Sequence, residues 1–242
     1  MDRFFLSPED WTADELQLAG EEGHHAVRVM RKKTGDSIEV FDGEGRWARG
    51  TIKEVERARL VLGLEEEGTS QQLKPSIELA VAIPKGKTMD LLVQKAVELG
   101  VSTIQPLATI NTVVKVAADE AVEKSRKWQR VALEACKQCG QNFLPEVKTV
   151  RPLSHYLREP REGASVIASL APGAVPVREK LESVAVDCQR VSFLVGPEGD
   201  FAKQEIEGAL AAGFEPVSLG EIVLRVETAG LFLASAARYR FG

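Results

Sequence analysis

Two short stretches near the C-terminus carry the residue types and spacings that could do chemistry. The first is Val195-Gly196-Pro197-Glu198-Gly199-Asp200-Phe201. The second is Leu219-Gly220-Glu221-Ile222-Val223-Leu224-Arg225-Val226-Glu227-Thr228-Ala229. In the first, two glycines let a backbone pass close to a ligand, and proline stiffens the turn between them. Backbone N–H groups at the start of a following helix can hold polar ligand atoms. In the second, Leu219-Gly220 repeats the pattern one strand later. Arg225 and Glu227 then set a cation and a carboxylate two residues apart, before a helix that Thr228 is expected to cap. Taken singly, the first stretch is equally an ordinary strand-to-helix turn, and Arg225 with Glu227 equally a structural ion pair. Both stretches, however, follow apolar strand-like runs and precede helix-like ones. That is where a parallel sheet presents its strand ends and where open α/β sheets bind ligands. Together they read as two walls of one small-molecule site.

Other candidates are weaker. Pro84-Lys85-Gly86-Lys87-Thr88 imitates the end of a phosphate-binding loop, but the glycine that the full motif needs five residues before Gly86 is Val81. Lys85 and Lys87 are read instead as a basic loop, near a substrate phosphate or simply solvated. No G-x-G-x-x-G follows a strand, so a dinucleotide enzyme has no support. Cys136 and Cys139 have C-x-x-C spacing without a second pair or a nearby histidine, and both fall on the apolar face of a helix. They read as core cysteines, and no metal is expected. His24, His25, Arg28, Arg31, Lys32 and Lys33 form the densest basic cluster, either a solvated face or a phosphate-contacting patch.

The elements that must position these residues change character along the chain. Residues 1–70 read as a small β-rich domain. It has an extended run at Arg3 to Leu6, a short helix within Gly23 to Arg31, and strands at Ser37 to Asp42, Arg46 to Glu56 and Arg59 to Glu65. Ile38 and Val40 mark the buried face of the first long strand. Glu65 to Gln72 is charged, then polar, and reads as the linker. From residue 73 to 242, strands alternate with helices, the mark of α/β architecture. Strands are expected at Ile77 to Ile83, Thr103 to Leu107, Ala164 to Ser169, Val191 to Val195 and Glu215 to Leu219. Thr88 is expected to cap a helix to Leu99, a long helix spans Asp119 to Cys139, and Phe201, Ile206, Ala209 and Leu210 line another. The last helix is rich in small residues, which suits close packing inside the domain or at an interface.

The chain has 242 residues, a net charge of −5 and three cysteines. No run approaches a membrane span, no signal peptide is visible, and an odd cysteine count speaks for a reducing compartment, so a cytoplasmic protein with no membrane partner is expected. Residues 1–72 carry 10 Lys and Arg against 16 Asp and Glu, a net of −6, and the remainder 21 against 20, a net of +1. Any nucleic-acid surface must therefore be a local patch.

At this point the residues resemble a known family. Gly196-Pro197-Glu198-Gly199, Leu219-Gly220 and Leu224-Arg225-Val226-Glu227-Thr228-Ala229 are similar to the signature of RsmE-type enzymes, the small-subunit (16S) ribosomal RNA uridine-N3 methyltransferases of the SPOUT superfamily. Arg3-Phe4-Phe5 and His24-His25 through Arg31 resemble the family's PUA-like RNA-binding domain. Lys85-Gly86, Glu98-Leu99-Gly100-Val101 and Glu134-Ala135 with Gln138 resemble its middle motifs. The resemblance covers nearly the whole chain. It implies a small PUA-like β-barrel followed by a SPOUT-type parallel sheet with a C-terminal trefoil knot. It also implies a homodimer, with the small-residue C-terminal helix at the interface, acting on 16S rRNA or the small ribosomal subunit.

The same resemblance implies S-adenosyl-L-methionine (SAM) as cofactor, walled by Leu170, by Gly196, Pro197, Glu198 and Gly199, and by Leu219, Gly220, Ile222 and Leu224. Arg225 would favour the uracil anion, while Glu227 would take the proton or orient Arg225. His24, His25, Arg28, Arg31, Lys32, Lys33, Lys85 and Lys87 would meet the RNA. Four positions depart from the pattern: Asn111 and Gln141 stand where arginines are usual, Asp200 replaces a glycine, and Glu221 a basic residue or proline. These changes lower positive potential on the RNA-facing edge and leave the cofactor walls untouched. They keep open a second reading, an RNA-binding or assembly protein of the same fold with weak or lost catalysis, and a third, a methyltransferase redirected to another RNA.

Overall fold

The computed structural model of the chain describes residues 1–11, 15–171 and 173–242. They form two compact units: Met1–Gln72 with Leu133–Leu144, and Leu73–Ala132 with Pro145–Gly242.

In the first unit, β1 (Asp2–Phe5), β2 (Leu16–Leu18), β3 (Ser37–Phe41), β4 (Arg46–Glu56) and β5 (Arg59–Thr69) make one sheet in the order β1-β3-β4-β5-β2. Only the β1–β3 pair is parallel. Phe4, Leu6, Leu16, Ile38, Ile52 and Leu60 sit in its core. Gly50 is required where β4 bulges against β5, since a Cβ there would stand 2.1 Å from the Gly63 carbonyl oxygen. The single helix expected over residues 23–31 is two pieces. Helix α1 (Gly20–His24) runs into a π-helical stretch, His25–Val29, where the Met30 N–H bonds back to the His25 carbonyl.

Two further expectations are corrected here. The expected linker, Glu65 to Gln72, is strand as far as Thr69. Its glutamates find cross-strand partners: Thr51 donates to Glu65 at 2.6 Å, and Arg49 pairs with Glu66 at 3.3 Å. On β3 the buried set is wider than Ile38 and Val40. Glu39 is buried too, because Arg3 and Arg49 bond its two carboxylate oxygens at 2.6 and 2.7 Å. Arg3 also donates to the Cys136 carbonyl at 2.6 Å and to Asn142, and the Leu144 N–H reaches the Gly43 carbonyl at 2.8 Å. These bonds tie the segment Leu133–Leu144 to the strands of this unit.

The second unit is a parallel sheet. Its strands are β6 (Ser76–Ala82), β7 (Thr103–Ala108), β8 (Glu146–Val147), β9 (Arg151–Pro152), β10 (Ala164–Ala168), β11 (Val175–Pro176), β12 (Arg190–Val195) and β13 (Glu215–Ser218). The order is β11-β13-β10-β12-β6-β7-β8, with β9 also beside β7. Strands buried on both faces read as near-continuous apolar runs, as Ile77 to Ala82 and Val191 to Val195 do. The one polar residue in each, Glu78 and Ser192, is buried, and the Ser192 hydroxyl donates to the Glu78 carboxylate at 2.8 Å. Its helices are α2 (Thr88–Glu98), α3 (Ala118–Cys139, whose last turns belong to the first unit), α4 (Leu153–Tyr156), α5 (Val177–Ser183), α6 (Lys203–Ala211) and α7 (Val226–Phe241). The face carrying Ala80, Leu107, Ile167 and Leu194 packs with Tyr156, Phe201 and Ala209. Helix α7 packs on α2, β6 and β12. Its small residues serve that packing: a Cβ on Gly230 would stand 3.3 Å from Leu79.

Four local details differ from the sequence reading. Helix α2 begins at Thr88 with Lys87 at its N-cap, so Thr88 caps nothing. Phe201 precedes α6, and Leu210 is exposed. Helix α7 starts at Val226 rather than Thr228, because Val226, Ala229 and Gly230 share its buried face. Cys139 is exposed while Cys136 is buried, since the helix turns the second sulfur away from the core within one turn.

Candidate functional site

Strand β10 lies between β12 and β13, although the chain visits β10, β12 and β13 in that sequence. The chain passes β10 on its way from β12 to β13, so the C-terminal ends of three neighbouring parallel strands stand side by side, at the edge where open α/β sheets bind ligands. Three loops meet there. After β10 come Ser169 and Leu170, after β12 Gly196, Pro197, Glu198 and Asp200, and after β13 Leu219, Gly220, Ile222, Val223 and Leu224. Ala168 and Val195 at the strand ends and Val226 and Ala229 of α7 complete the lining.

The first glycine is needed for space. A Cβ on Gly196 would stand 2.9 Å from the Phe201 ring, which is buried beneath the loop. Pro197 to Asp200 form a tight turn closed by the Asp200 N–H on the Pro197 carbonyl at 3.0 Å. Gly220 holds φ at +116°, open to glycine and strained for anything larger. Glu198 accepts the Lys85 backbone N–H at 3.2 Å, so the basic loop after β6 abuts the wall after β12.

The space enclosed is about 100 Å³, and its mouth is apolar and open. Leu170 is 62% exposed, Ile222 79% and Val223 69%. Among the described residues, no backbone N–H from Glu221 to Arg225 makes an intramolecular hydrogen bond. Unspent donors beside solvent-facing aliphatic side chains suit a ligand with both a polar heterocycle and apolar edges. A larger cleft of about 770 Å³ lies across the α4–α6 face, between Ile110, Leu157 and Gly208. It receives none of the glycine loops, so its size does not make it the site.

Of the sequence-predicted walls, Leu170, Gly196, Pro197, Glu198, Leu219, Gly220, Ile222 and Leu224 come together, and Gly199, between the lining residues Glu198 and Asp200, does not itself line the crevice. Sequence reasoning missed Ala168, Ser169, Val195, Asp200, Val223, Val226 and Ala229; Asp200, read as a change off the cofactor walls, is part of them. The first three end strands already recognised, and that position is the signal that could have found them. Arg225 is the N-cap of α7 and Glu227 lies in its first turn. Both stand beside the lining without belonging to it, and no ion pair joins them among the described residues. A cation at the positive end of a helix is unfavourable to the helix, which points to a role outside the fold.

The expected RNA-facing residues divide between the units. In the first, His24, Arg28, Arg31 and Lys33 are exposed. His25 is half-buried, its ring edge-on to Phe4, and Lys32 is held by Asp2 at 2.5 Å. In the second, Lys85 and Lys87 are exposed. Among the described residues no group of three or more His, Cys, Asp and Glu is placed to hold a metal ion, and no helix is long and apolar enough to cross a membrane.

Comparison with known proteins places this geometry. An RNA methyltransferase domain family matches residues 71–238, and an RNA methyltransferase PUA domain family matches residues 18–65. Ribosomal RNA small subunit methyltransferase E of Synechocystis is 30% identical over 94% of this chain and 74% of its own. The protein of the same name from Bacillus subtilis is 28% identical over 99% and 97%. The crystal structure of ribosomal RNA small subunit methyltransferase E from Neisseria gonorrhoeae, bound to S-adenosyl methionine, superposes with a TM-score of 0.86 at 30% identity, covering 99% of this chain and 97% of that one. A parallel sheet with its crevice at the ends of three adjacent strands, and family matches along both units, lead to one conclusion: the chain belongs to the RNA methyltransferase family of the bacterial ribosomal RNA small subunit methyltransferases E.

Proposed function

We propose that this protein transfers a methyl group from S-adenosyl-L-methionine to N3 of a uridine in small-subunit ribosomal RNA, in the cytoplasm and as a homodimer with its C-terminal segment knotted. The observation that carries the reading is the three-loop crevice, with Arg225 and Glu227 at its edge, in a chain similar over most of its length to the small-subunit methyltransferases of Synechocystis and Bacillus subtilis. A relative solved with the methyl donor bound supports the choice of cofactor.

The residues fit that donor. Leu170, Ile222 and Leu224 give apolar walls, the free N–H groups after Gly220 offer donors to a heterocycle, and Gly196 keeps the wall after β12 close. Bound there, the donor supplies a methyl group on a positively charged sulfur, ready for in-line displacement. The chain's own task is to prepare the nucleophile. Uracil N3 carries a proton that must leave before its lone pair can attack. The Arg225 guanidinium, exposed and unspent, favours the negative charge that builds on the flanking carbonyl oxygens. Glu227 makes no ion pair with Arg225, so its carboxylate is free to accept the N3 proton. Holding base and donor in line supplies much of the rate.

Methyl transfer from labelled donor to isolated small subunits and to naked RNA, followed by nucleoside analysis, tests the reading. The expected product is 3-methyluridine, lost in Gly196→Trp together with donor binding by calorimetry. Methylation at another atom would defeat the N3 assignment. Donor binding without transfer to any ribosomal RNA would favour the assembly-protein reading that the four departures keep open.

A further inference from the structure

Among the described residues, Asp200 is one of three non-glycine residues with a left-handed backbone, at φ +58°, and it is the one that lines the crevice. That conformation costs any residue with a Cβ, so something must hold it. Two supports are local: the Asp200 N–H on the Pro197 carbonyl, and the Asp200 carboxylate accepting the Phe201 N–H at 2.7 Å. The third comes from the loop after β7. Asn111 Nδ2 donates to the Asp200 carbonyl at 2.9 Å and to the Gly199 carbonyl at 3.3 Å. That loop is itself braced. Thr112 Oγ1 meets the Thr109 N–H at 3.0 Å and the Thr109 hydroxyl at 2.7 Å. Glu205 accepts the Ile110 N–H at 2.9 Å and the Ala202 N–H at 3.0 Å. A fixed loop therefore presents one amide to the outer side of the turn whose inner side forms the crevice wall.

We propose that Asn111 is a positioning residue for the methyl-donor pocket: its amide holds the left-handed turn at Asp200, and through it the wall at Pro197 and Glu198. This rests on the reading of the crevice as the donor site. Two of the four departures in the sequence, Asn111 and Asp200, are then one paired device. An aspartate stands in a backbone conformation suited to glycine, and an asparagine across the gap supports it.

The test is a double-mutant cycle read by calorimetry with S-adenosyl-L-methionine on the full chain. Asn111→Ala is expected to weaken donor binding about five- to tenfold, the range for losing one good and one long hydrogen bond. Asn111→Asp keeps the shape but sets a carboxylate against two carbonyl oxygens, and is expected to weaken it at least as much. Asn111 is exposed and outside the core, so neither change should disturb folding, which melting curves check. Turnover at saturating donor should stay within about twofold, with the loss in KM for the donor. In an Asp200→Gly background the turn needs no support, and the effect of Asn111→Ala should fall at least threefold. Parent-like binding by both Asn111 variants, or an undiminished effect in the glycine background, overturns the inference. Absence of donor binding by the parent chain overturns the pocket reading first, and the inference with it.

Discussion

Two cysteines three residues apart share helix α3 and not an environment. Burial pushes the Cys136 thiol up to about 12, its neighbour Cys139 adds to the shift, and Arg3 opposes it. Cys139 is exposed. At pH 8 a disulfide reagent should therefore label Cys139 in the folded protein and reach Cys136 only on unfolding, and Cys139→Ser should remove its share of the fast reaction. Equal labelling of both would contradict the burial. Glu39 is a second case of environment overriding residue type. Burial raises its carboxyl, and hydrogen bonds from Arg49 and Arg3 outweigh that, holding it below the ordinary value of 4.5. A depressed carboxylate contributes stability above its unfolded value, and loses it as pH falls through the folded one. Urea unfolding of Glu39→Gln should show a deficit at pH 7 that narrows below about pH 4. A deficit independent of pH would mean that the ion pairs are not its source.

At the scale of elements, helix α7 carries a conflict. Its N-cap is Arg225, without a side-chain cap, and its first turn holds Glu227. Serine there would bond a free N–H and remove a cation from the helix's positive end, a gain of about 0.5–1 kcal/mol. Arg225→Ser should raise the melting temperature by about 1–4 °C and abolish methyl transfer. An active serine variant would remove Arg225 from the mechanism. The far end of the same helix is secured differently. Arg238 reaches the carbonyls of Pro75, Leu99 and Gly100 at 3.0, 3.2 and 2.5 Å, so it closes the C-terminus of α2 as well as docking α7. Burial lowers its pKa, consistent with a guanidinium enclosed by backbone. The crevice end of α7 is thus poorly capped while its other end is tied down.

Across the whole molecule, charge is local rather than global, with −6 on residues 1–72 and +1 on the rest. RNA affinity must then come from a few cations, and the structure ranks them. Lys32 is held by Asp2, whereas Arg31 and Lys33 are exposed. Arg31→Ala and Lys33→Ala should each flatten the salt dependence of RNA binding by roughly 0.7–0.9 in the log–log slope, and Lys32→Ala should change it far less. Equal flattening by all three would show that the ion pair opens on RNA. The five longer strands of the parallel sheet, the two glycine loops and the family itself were legible in the chain alone, because buried parallel strands are near-continuous apolar runs and tight turns demand glycine at definite places. The two-residue strands β8, β9 and β11 are too short to leave such a pattern. Local pattern could not show that the Glu65–Gln72 run is mostly strand, that Leu133–Leu144 joins the first unit, that Lys32 is paired, or that α7 starts at Val226. Nor could it show that Asn111 supports Asp200. Each of these depends on a partner distant in sequence, and a side chain's charge or burial becomes definite only when the tertiary fold brings that partner within hydrogen-bonding reach.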